Sequence, residues 1–511
     1  MIKILLAASL LSTLSMFSQG GSLDTSFGTG GKVTTSINSG ADIAYATVLQ
    51  SDGKILVSGT TNSSISGKDF FCIRYNTDGT LDTSFGTNGI ATFDLQGGSD
   101  DVAYAMSLLS DGNILLAGFS DDGSNKNAAI IRITTNGVLD TTFGTAGKVY
   151  TEFISGRADE IKVIKIHALT GNLIVGGTSS ATSTNSQGVI ARYTSNGVLD
   201  TNFNTTGIVT LPNGSGSGTY FHTIEDLAVK SNGKISAVGW INQQGLSWSA
   251  NHYGCRLNSN GSLDTTFSTD GLIVTNGGFN GDDKSFSIIL NSDDSFLFAG
   301  GGYLTDLQYD YFLGLYNSSG STAQGKASFN FATLNKDIIY GTGVDSTGKI
   351  VMVGSSVASV SSSTFGLARV NSDYTVDTSF GTSGKVTTTF GTNTTNEAFD
   401  MAIQSDDKII AVGYSGNDIA IARYNNATLS VNDFENNAIA LYPNPVKNTL
   451  YLNFSNDSKY LGKEFQISDV NGRVVLKGKI DEMNKALDVS SMQNGLYFIK
   501  IGEVLSKFVK Q

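Results

Sequence analysis

The chain has 511 residues, of which 60 are Gly, 3 are Pro and 15% are charged, and its formal net charge is −12. A hydrophobic fraction of 40% excludes a disordered chain, and Gly without a three-residue period beside so little Pro excludes collagen. The negative charge argues against nucleic acid as a partner, because phosphate would be repelled, and two Cys exclude a disulfide-stapled scaffold. Many short strands joined by Gly, Asn and Asp turns fit this composition.

The first twenty residues have the pattern of an export signal. Lys3 precedes an apolar stretch over 4–17, and the small residues of 18–20 suit cleavage before Gly21. The stretch is too short for a transmembrane span, and no later segment has about 18 consecutive apolar residues. A buried helix is the alternative. The sequence therefore predicts a signal peptide over 1–20 and no transmembrane segment in the mature chain.

A repeated unit occupies residues 21–425. The block Leu-Asp-Thr-Ser-Phe-Gly begins at Leu23 and recurs, with substitutions, about 58 residues apart. Its Asp falls at Asp24, Asp82, Asp140, Asp200, Asp264 and Asp377, and a degenerate copy at 321–323 completes seven. A second signature with the same period is a tight turn followed by an apolar run that ends in Gly, as in Asp52-Gly53 before 55–59.

Each unit has the pattern of four short strands, which in the first unit lie at about 32–37, 43–49, 54–59 and 70–76. One such sheet cannot bury both faces, but seven around an axis can. We therefore predict an all-β fold, a seven-bladed β-propeller of four-stranded repeats followed by a small C-terminal β-sandwich. A linear β-solenoid is the alternative. The unit resembles the delta-60 repeat family of bacterial surface proteins, and that resemblance implies little about function.

An Arg and the Asp of the block vary together. In five units the Arg lies eight residues before the Asp: Arg74–Asp82, Arg132–Asp140, Arg192–Asp200, Arg256–Asp264 and Arg369–Asp377. One unit has Leu315 and Ala323 instead, as expected when an unpaired buried charge is costly. Arg423 lacks a following Asp, and Asp24 lacks a preceding Arg. We expect structural ion pairs in most blades and an Arg423–Asp24 pair that closes the ring.

The composition changes near residue 426. Residues 21–437 carry a net charge of −16, whereas residues 438–511 carry +3. The polar segment 426–437 is predicted to be a linker. Beyond it, alternating segments at about 449–454, 464–468, 473–477 and 496–501 predict a small β-sandwich.

Five blocks in this last region are characteristic. They are Tyr442-Pro443-Asn444-Pro445-Val446, the run 467–475 with Gly472 and Arg473, the run 487–491, Gly495-Leu496-Tyr497-Phe498, and Lys507-Phe508-Val509-Lys510. In order and spacing they resemble the C-terminal sorting domain, type A, of type IX secretion (Por) substrates. A generic immunoglobulin-like module is the alternative, but it needs neither the Pro-Asn-Pro segment nor a basic last strand.

This resemblance implies a cellular location and a set of partners. It implies a Bacteroidetes-type bacterium, passage through the inner membrane by the signal peptide, and passage across the outer membrane by residues 438–511. It also implies the type IX secretion machinery as a partner, and surface lipopolysaccharide as the anchor that many such substrates acquire. The expected location is therefore the outer cell surface or the medium.

Candidate ligand-binding residues are expected on the face with the most variable loops. Ten residues before each tight turn, five units carry an acid, namely Asp42, Asp101, Glu160, Asp283 and Asp337. A ring of carboxylates at one mouth would suit a cation or a basic partner. Trp240 and Trp248 flank an insert near Tyr220, His222 and His252, and such aromatic clusters stack on sugars or peptides. Solvated polar residues and irregular blade packing are the alternatives.

No sequence feature names a reaction. The three His share no spacing, and neither a Gly-x-Ser-x-Gly elbow nor a phosphate loop occurs, so we predict no metal, cofactor or catalytic residue. We expect an exported binding or scaffold module with an unknown glycan or protein ligand. The alternative is a secreted glycan-active enzyme with acids at the propeller mouth, since paired carboxylates are a spatial feature.

Overall fold

The structure is a computed structural model that describes residues 20–182, 185–212, 220–243, 250–275, 281–303, 309–321, 324–331, 336–359, 362–426, 439–454, 462–470, 473–480, 485–501 and 504–511. Every regular element in these ranges is a β-strand. Two compact units separate, one within Ser18–Thr428 and one within Leu429–Gln511. Most of the predicted signal peptide and linker lies outside the described ranges.

The first unit consists of seven blades of four antiparallel strands each, which we number in chain order. Blades 5 and 6 are joined into one eight-stranded sheet by a single parallel pair, Tyr309 opposite Lys336. The first strand of the chain, β1 (Lys32–Thr35), belongs to blade 7. Blade 1 comprises β2 (Asp42–Leu49), β3 (Ile55–Ser63), β4 (Gly67–Tyr75) and β5 (Ile90–Phe93). Blade 2 comprises β6 (Asp101–Leu108), β7 (Ile114–Asp121), β8 (Lys126–Ile133) and β9 (Lys148–Thr151). Blade 3 comprises β10 (Ala158–Ile166), β11 (Leu173–Thr182), β12 (Asn185–Tyr193) and β13 (Ile208–Thr210).

The remaining blades repeat this order. Blade 4 comprises β14 (Tyr220–Val229), β15 (Ile235–Gln243), β16 (Ala250–Leu257) and β17 (Leu272–Thr275). Blade 5 comprises β18 (Lys284–Leu290), β19 (Phe296–Tyr303), β20 (Tyr309–Tyr316) and β21 (Gln324–Phe329). Blade 6 comprises β22 (Lys336–Val344), β23 (Ile350–Ser359), β24 (Ser362–Val370) and β25 (Lys385–Thr388). Blade 7 comprises β26 (Asn396–Ile403), β27 (Ile409–Ser415), β28 (Asp418–Tyr424) and β1.

The ring is closed by pairing of the two ends of the repeat region. Strand β1 pairs antiparallel with β28, with Lys32 opposite Ala422, and the Asp24 amide donates to the Arg423 carbonyl at 2.8 Å. The innermost strands of successive blades contact one another, and β26 contacts β2. The sheet edge that an open array would expose at each end is therefore covered, and the fold is a propeller rather than a linear solenoid.

Apolar runs after the tight turns form the second strand of each blade. In blade 1, Ile55, Leu56 and Val57 are fully buried, because a central strand packs against neighbouring blades on both of its faces. The turn before it is closed by the Gly53 amide, which donates to the Gln50 carbonyl at 2.9 Å, and Gly53 has a φ of 82°. Gly suits that left-handed position because it has no Cβ.

The predicted linker begins one residue too early. Asn426 is only 3% exposed, and its Oδ1 accepts a hydrogen bond from Arg369 Nη1 at 2.6 Å. Its side-chain amide donates to Asp345 Oδ2 at 2.9 Å. Asn426 therefore packs with the propeller, because its polar atoms complete the hydrogen bonding of a buried Arg.

The second unit is a two-sheet sandwich. One sheet contains β29 (Ile439–Tyr442), β30 (Thr449–Phe454) and β33 (Ala486–Asp488). The other contains β31 (Glu464–Asp469), β32 (Val474–Lys479), β34 (Gly495–Ile501) and β35 (Val504–Lys510). The four segments predicted from the sequence are strands, whereas β29, β33 and β35 extend that expectation. Alternate residues such as Ile467, Ile499 and Phe508 fill the core between the sheets.

The first and last blocks of the sorting motif meet in this sandwich. The Val509 amide donates to Asn444 Oδ1 at 2.9 Å, and the Val446 amide donates to the Val509 carbonyl at 2.8 Å. Tyr497 is 7% exposed and stacks on Phe508, and its hydroxyl donates to the Gln493 carbonyl. The Pro-Asn-Pro segment therefore holds the strand that carries Lys507.

Most of the described members of the motif are exposed, among them Tyr442 and Arg473. Tyr442 stacks on Tyr451 at 5.4 Å, and Arg473 pairs with Asp469 at 3.1 Å. Gly472 lies outside the described residues. Across the part of the chain that the structure describes, no helix is long and apolar enough to cross a membrane.

Candidate ligand site in the central channel

A β-bulge interrupts every innermost strand at the same register. The bulged residues are Tyr45, Tyr104, Lys162, Glu225, Phe286, Tyr340 and Phe399. All seven are half-buried and line one cavity on the axis of the ring. A bulge places an extra residue in one strand and redirects its side chain, so seven bulges direct seven side chains into the channel.

Five of these side chains form a continuous aromatic arc. It runs through blades 5, 6, 7, 1 and 2, in the order Phe286, Tyr340, Phe399, Tyr45 and Tyr104. Successive ring centroids are 5.0, 5.1, 5.2 and 5.1 Å apart, mostly with tilted or edge-on planes. These spacings lie within the favourable range for aromatic pairs. The arc therefore presents an apolar, π-rich wall to the channel.

Charged groups from blades 3 and 4 complete the ring. The Lys162 ammonium lies 3.6 Å from the Tyr104 ring centroid and 2.8 Å from Glu160 Oε2. Burial alone would raise the pKa of Glu160, but Lys162 and Lys126 outweigh it and hold that pKa below its usual value. Glu225 accepts a hydrogen bond from Trp240 Nε1 at 3.1 Å, and burial raises the pKa of its carboxyl.

Below the aromatic arc, polar groups line a chamber of about 450 Å³. The Thr47 amide donates to Asp400 Oδ2 at 2.8 Å, and Asp226 Oδ1 lies 3.5 Å from Lys165 Nζ. Burial raises the pKa of Asp400 to about 6. A cavity of this size, with an apolar wall and a few polar groups held by the backbone, has the features of a small-ligand site.

This ring of seven side chains was not predicted from the sequence. In several repeats an aromatic residue lies three positions after an acid, as in Asp42 and Tyr45 or Asp101 and Tyr104, and an alignment of the repeats would have shown that pattern. The pattern does not reveal the bulges, which decide that these residues face the channel.

The predicted ring of exposed acids is not what the structure presents. Asp42, Asp101, Asp283 and Asp337 are all fully buried at the start of innermost strands or just before them. Asp42 accepts from the Ile37 amide at 2.6 Å, and Asp101 from the Leu95 amide at 2.7 Å. The expectation of a carboxylate ring at the mouth is therefore wrong. These carboxylates are buried because the connection after an outermost strand turns sharply, and its backbone amides need an acceptor.

Glu160 is not one of these buried acids, because the residue before it holds the equivalent position in blade 3. The acid that accepts from the preceding connection in blade 3 is Asp159, whose Oδ2 binds the Phe153 amide at 2.8 Å. The tight turn of blade 3 closes between the His167 amide and the Asn172 carbonyl, one residue longer than the Gln50–Lys54 turn of blade 1. The position ten residues before that longer turn is therefore Glu160, which the structure pairs with Lys126 and Lys162.

The aromatic and His candidates of blade 4 are mainly packing residues. Tyr220, His222 and His252 are 5%, 0% and 1% exposed, which corrects their assignment to a ligand face. His222 lies 4.0 Å from the Tyr253 ring, in space left by the missing side chain of Gly188. Trp240 is half-buried and stacks on Phe221 at 4.9 Å. Trp248 lies outside the described residues.

The Arg and Asp of the repeats form short ion pairs in six blades. The nitrogen–oxygen distances for Arg74–Asp82, Arg132–Asp140, Arg192–Asp200, Arg256–Asp264, Arg369–Asp377 and Arg423–Asp24 are 2.7–2.9 Å. Each guanidinium also covers the Phe of its block, as Arg74 covers Phe85 at 4.7 Å. In blade 5, Leu315 occupies the Arg position, and Ala323 lies outside the described residues.

These Arg side chains also join neighbouring blades. Arg74 Nη1 donates to the Thr135 carbonyl of blade 2 at 2.6 Å, and Arg256 Nη1 donates to the Ser318 carbonyl of blade 5 at 2.8 Å. Arg423 Nη1 donates to the Thr77 carbonyl of blade 1. The covariation of Arg and Asp in the sequence indicated the pair but not this second contact.

Two family models match the chain. A Secretion system C-terminal sorting domain matches residues 440–511. The Domain of unknown function (DUF5122) beta-propeller matches six segments, at 50–85, 109–143, 170–203, 230–267, 346–380 and 404–427. No curated protein sequence matches the chain.

Several solved structures are similar to this chain at low sequence identity. PorZ of Porphyromonas gingivalis, an essential surface component of the type IX secretion system, is 12% identical with a TM-score of 0.43. That comparison covers 94% of this chain but only 60% of PorZ. The WD40 propeller domain of Doa1 is 11% identical (TM-score 0.42, covering 77% of this chain and 95% of that one). Polysaccharide lyase Uly1 is 9% identical (TM-score 0.41, covering 75% and 90%).

Likenesses this distant carry no functional assignment, whereas the sorting domain does. Its presence indicates export by the type IX secretion system to the cell surface or the medium, and interaction with that machinery. The chain is thus a DUF5122-type β-propeller repeat protein with a type IX secretion sorting domain at residues 440–511.

Proposed function

We propose that the exported propeller is a binding module and that its ligand occupies the central channel. The observation that carries this proposal is the set of seven bulges, which direct five aromatic and two charged side chains onto one cavity. Blade packing alone does not require aromatic side chains at the axis, because propeller blades are arranged around a central channel. A half-buried aromatic wall above polar groups instead matches the composition of ligand pockets.

A neutral carbohydrate is the ligand class that suits this lining best. Aromatic faces such as Tyr340 and Phe399 pack against the apolar face of a sugar ring, while Asp226, Asp400 and Lys165 can exchange hydrogen bonds with hydroxyl groups. The charged groups that line the cavity are three carboxylates, those of Glu225, Asp226 and Asp400, and the ammonium groups of Lys162 and Lys165. Because Glu160 also neutralises Lys162, this lining disfavours an anionic ligand.

The test is binding of the full-length protein to an array of neutral oligosaccharides. Phe399→Ala should weaken binding by about 2- to 13-fold, since one aromatic contact contributes about 0.5–1.5 kcal/mol. Tyr150→Ala is the matched control, because Tyr150 is 41% exposed on an outermost strand, away from the channel. Absence of binding to every neutral glycan, or equal binding by both variants, would contradict the proposal.

A glycan-active enzyme is the second candidate. The observation that favours it is the presence in one chamber of two carboxylates with different environments, Asp226 beside Lys165 and Asp400 with a pKa raised to about 6. Two carboxylates in different environments can act as proton donor and acceptor in sugar cleavage. Release of new sugar ends from a bound glycan, abolished by Asp400→Asn while binding persists, would establish this alternative.

The remaining organisation is also a proposal. We propose a signal peptide over 1–20, a propeller from 21 and a linker that ends at 437, followed by the sorting domain from 438. Compaction of the chain into separate units on either side of residue 428 supports this division. Surface lipopolysaccharide is the proposed anchor after export, supported by the sorting-domain match. Detection of the mature protein on whole cells, and its loss when lipopolysaccharide synthesis is blocked, tests that anchor.

A further inference from the structure

We propose that a divalent cation of the Ca²⁺ type binds between blades 1 and 2, held by the carboxylates of Asp69, Asp94 and Asp101. The inference is independent of the channel and of its ligand. It concerns the outer connection between the two blades rather than the axis.

Three strands bring these acids together. Asp69 lies near the start of β4, Asp94 directly follows β5, and Asp101 begins β6. One oxygen from each carboxylate lies within 4.8 Å of the other two. Asp69 and Asp101 are 7% and 0% exposed, whereas Asp94 is exposed. The cluster is therefore buried on one side and open to solvent at Asp94, which provides a route for an ion.

Asp69 contributes to the cluster a buried oxygen that has no hydrogen-bond partner. Asp69 Oδ2 accepts from Ser66 Oγ at 2.6 Å, but Asp69 Oδ1 is buried and has no hydrogen-bond partner. A buried carboxylate oxygen without a donor is costly. Asp69 Oδ1 is the type of ligand atom that a hard cation prefers, and a bound cation would satisfy it.

The neighbouring basic side chains are engaged elsewhere. Lys68 Nζ lies 3.0 Å from Asp100 Oδ2, and Lys148 Nζ donates to the Leu95 carbonyl at 2.7 Å. The ion pairs found among the described residues include none with Asp69, Asp94 or Asp101. Three clustered negative charges therefore remain uncompensated by protein cations.

Equivalent junctions elsewhere in the ring lack the third acid. The positions that correspond to Asp69, Asp94 and Asp101 are Asn127, Glu152 and Asp159 between blades 2 and 3. Between blades 5 and 6 they are Asp310, Asn330 and Asp337, and between blades 7 and 1 they are Asp418, Ser36 and Asp42. The connection between blades needs one buried acid, so three acids at one junction exceed what the fold requires.

The chemistry favours Ca²⁺ over Mg²⁺. Ca²⁺ accepts six to eight oxygen ligands in irregular geometry, and water can supply those that three carboxylates do not. Mg²⁺ demands near-octahedral geometry and keeps its water more tightly. A protein exported to the cell surface meets Ca²⁺ at concentrations where weak extracellular sites, with Kd of about 10⁻⁴–10⁻³ M, are filled.

The experiment measures the melting temperature and Ca²⁺ binding of the full-length protein after removal of metal with EDTA. Ca²⁺ at about 100 times Kd should raise Tm by about 3–5 °C, while Mg²⁺ or NaCl of equal ionic strength should not. Calorimetric titration should show one site. Asp94→Asn should lose the Tm shift and weaken Ca²⁺ binding at least about tenfold.

Two variants keep the outcome decisive. Asp94→Asn is an exposed, isosteric change, so its metal-free Tm should equal or exceed that of the parent, since it removes repulsion. Asp122→Asn, at an exposed acid between β7 and β8, should keep the full Ca²⁺ response. No Ca²⁺-dependent shift in the parent protein, retention of the shift in Asp94→Asn, or equal loss in Asp122→Asn would overturn the proposal.

Discussion

Two buried His residues show how a single residue depends on its surroundings. His252 Nδ1 lies 2.9 Å from Ser285 Oγ, and its ring stacks on Phe312 at 5.2 Å. His222 is enclosed beside Tyr253. Burial lowers the pKa of each imidazole from 6.5 to about 3, because the charged form would lose its hydration.

We expect both imidazoles to stay neutral in the folded protein from pH 6.5 down to about 3. The unfolded chain takes up these two protons near pH 6.5, whereas the folded protein takes them up only near pH 3. The free energy of unfolding therefore falls as the pH drops below 6.5, because protonation stabilises the unfolded chain. Nitrogen NMR of the labelled His rings checks this directly. A buried imidazole that titrates near pH 6.5 would show that its surroundings are wetter than the structure indicates.

Acidification also reduces the stability that the ion-paired carboxylates contribute to the fold, but for a different reason. Burial would raise the pKa of Asp377, but Lys349, Ser379 and Arg369 outweigh it and lower that pKa to about 2. Its stabilising contribution is present above its unfolded value near 3.8 and is lost as the pH falls through about 2. Residue identity alone does not separate this Asp from Asp101, whose pKa burial raises to about 6.

At the scale of the element, the turn between the third and outermost strands connects each blade that carries the Arg–Asp pair to the next blade. Its Asp binds the Arg of its own blade, and that Arg binds a carbonyl of the next blade. The last joint is made by Asp24, 399 residues away from Arg423 in the chain, at 2.8 Å. Closure therefore rests on one short segment from the start of the repeat region.

Asp24→Ala should destabilise the propeller by about 3–5 kcal/mol, because it leaves the Arg423 charge buried without its partner. Asp24→Ala combined with Arg423→Leu should cost less than the single change, as Leu315 occupies the same position in blade 5 without a charge. Denaturant unfolding of the two variants and of Arg423→Leu gives the coupling free energy. Strict additivity would mean that the pair does not contribute to closure.

The innermost strands show a different division between pattern and geometry. The strands were predictable from alternating apolar residues, but the bulge between Ala44 and Ala46, repeated in all seven blades, was not. A bulge depends on how a strand twists against two neighbouring blades, so its register is a tertiary property. The contact between Tyr45 and Phe399 in the channel depends on that register and on closure of the ring.

At the scale of the whole molecule, the two units have separate tasks. The propeller carries the candidate ligand and cation sites, and the sandwich over 440–511 carries the address. Each unit buries its own core, as the separate clusters around Leu116 and Ile499 show. The propeller is therefore expected to fold without the sandwich.

Deletion of residues 438–511 should leave a folded propeller that accumulates in the periplasm instead of reaching the surface. The reason is that the sorting domain is the part recognised by the type IX machinery. Cell fractionation with surface protease digestion checks this outcome, and the full-length protein in the same strain is the control. Normal surface delivery of the truncated chain would contradict the assignment of the export signal to this region.

The sequence by itself determined the all-β repeat, the Arg–Asp partners and the sorting domain, because these depend on periodic patterns and on short blocks of consecutive residues. Only the tertiary structure decided which side chains share a site. Tyr340 and Phe399 meet because consecutive blades pack together, whereas Tyr45 and Phe399, which are far apart in the chain, meet only because the ring closes. The turn of blade 3 is longer by one residue, and only the structure shows that Asp159 takes the buried position while Glu160 pairs with Lys162. Local patterns specify strands, whereas the closure, twist and register of seven packed sheets specify the convergence of their side chains.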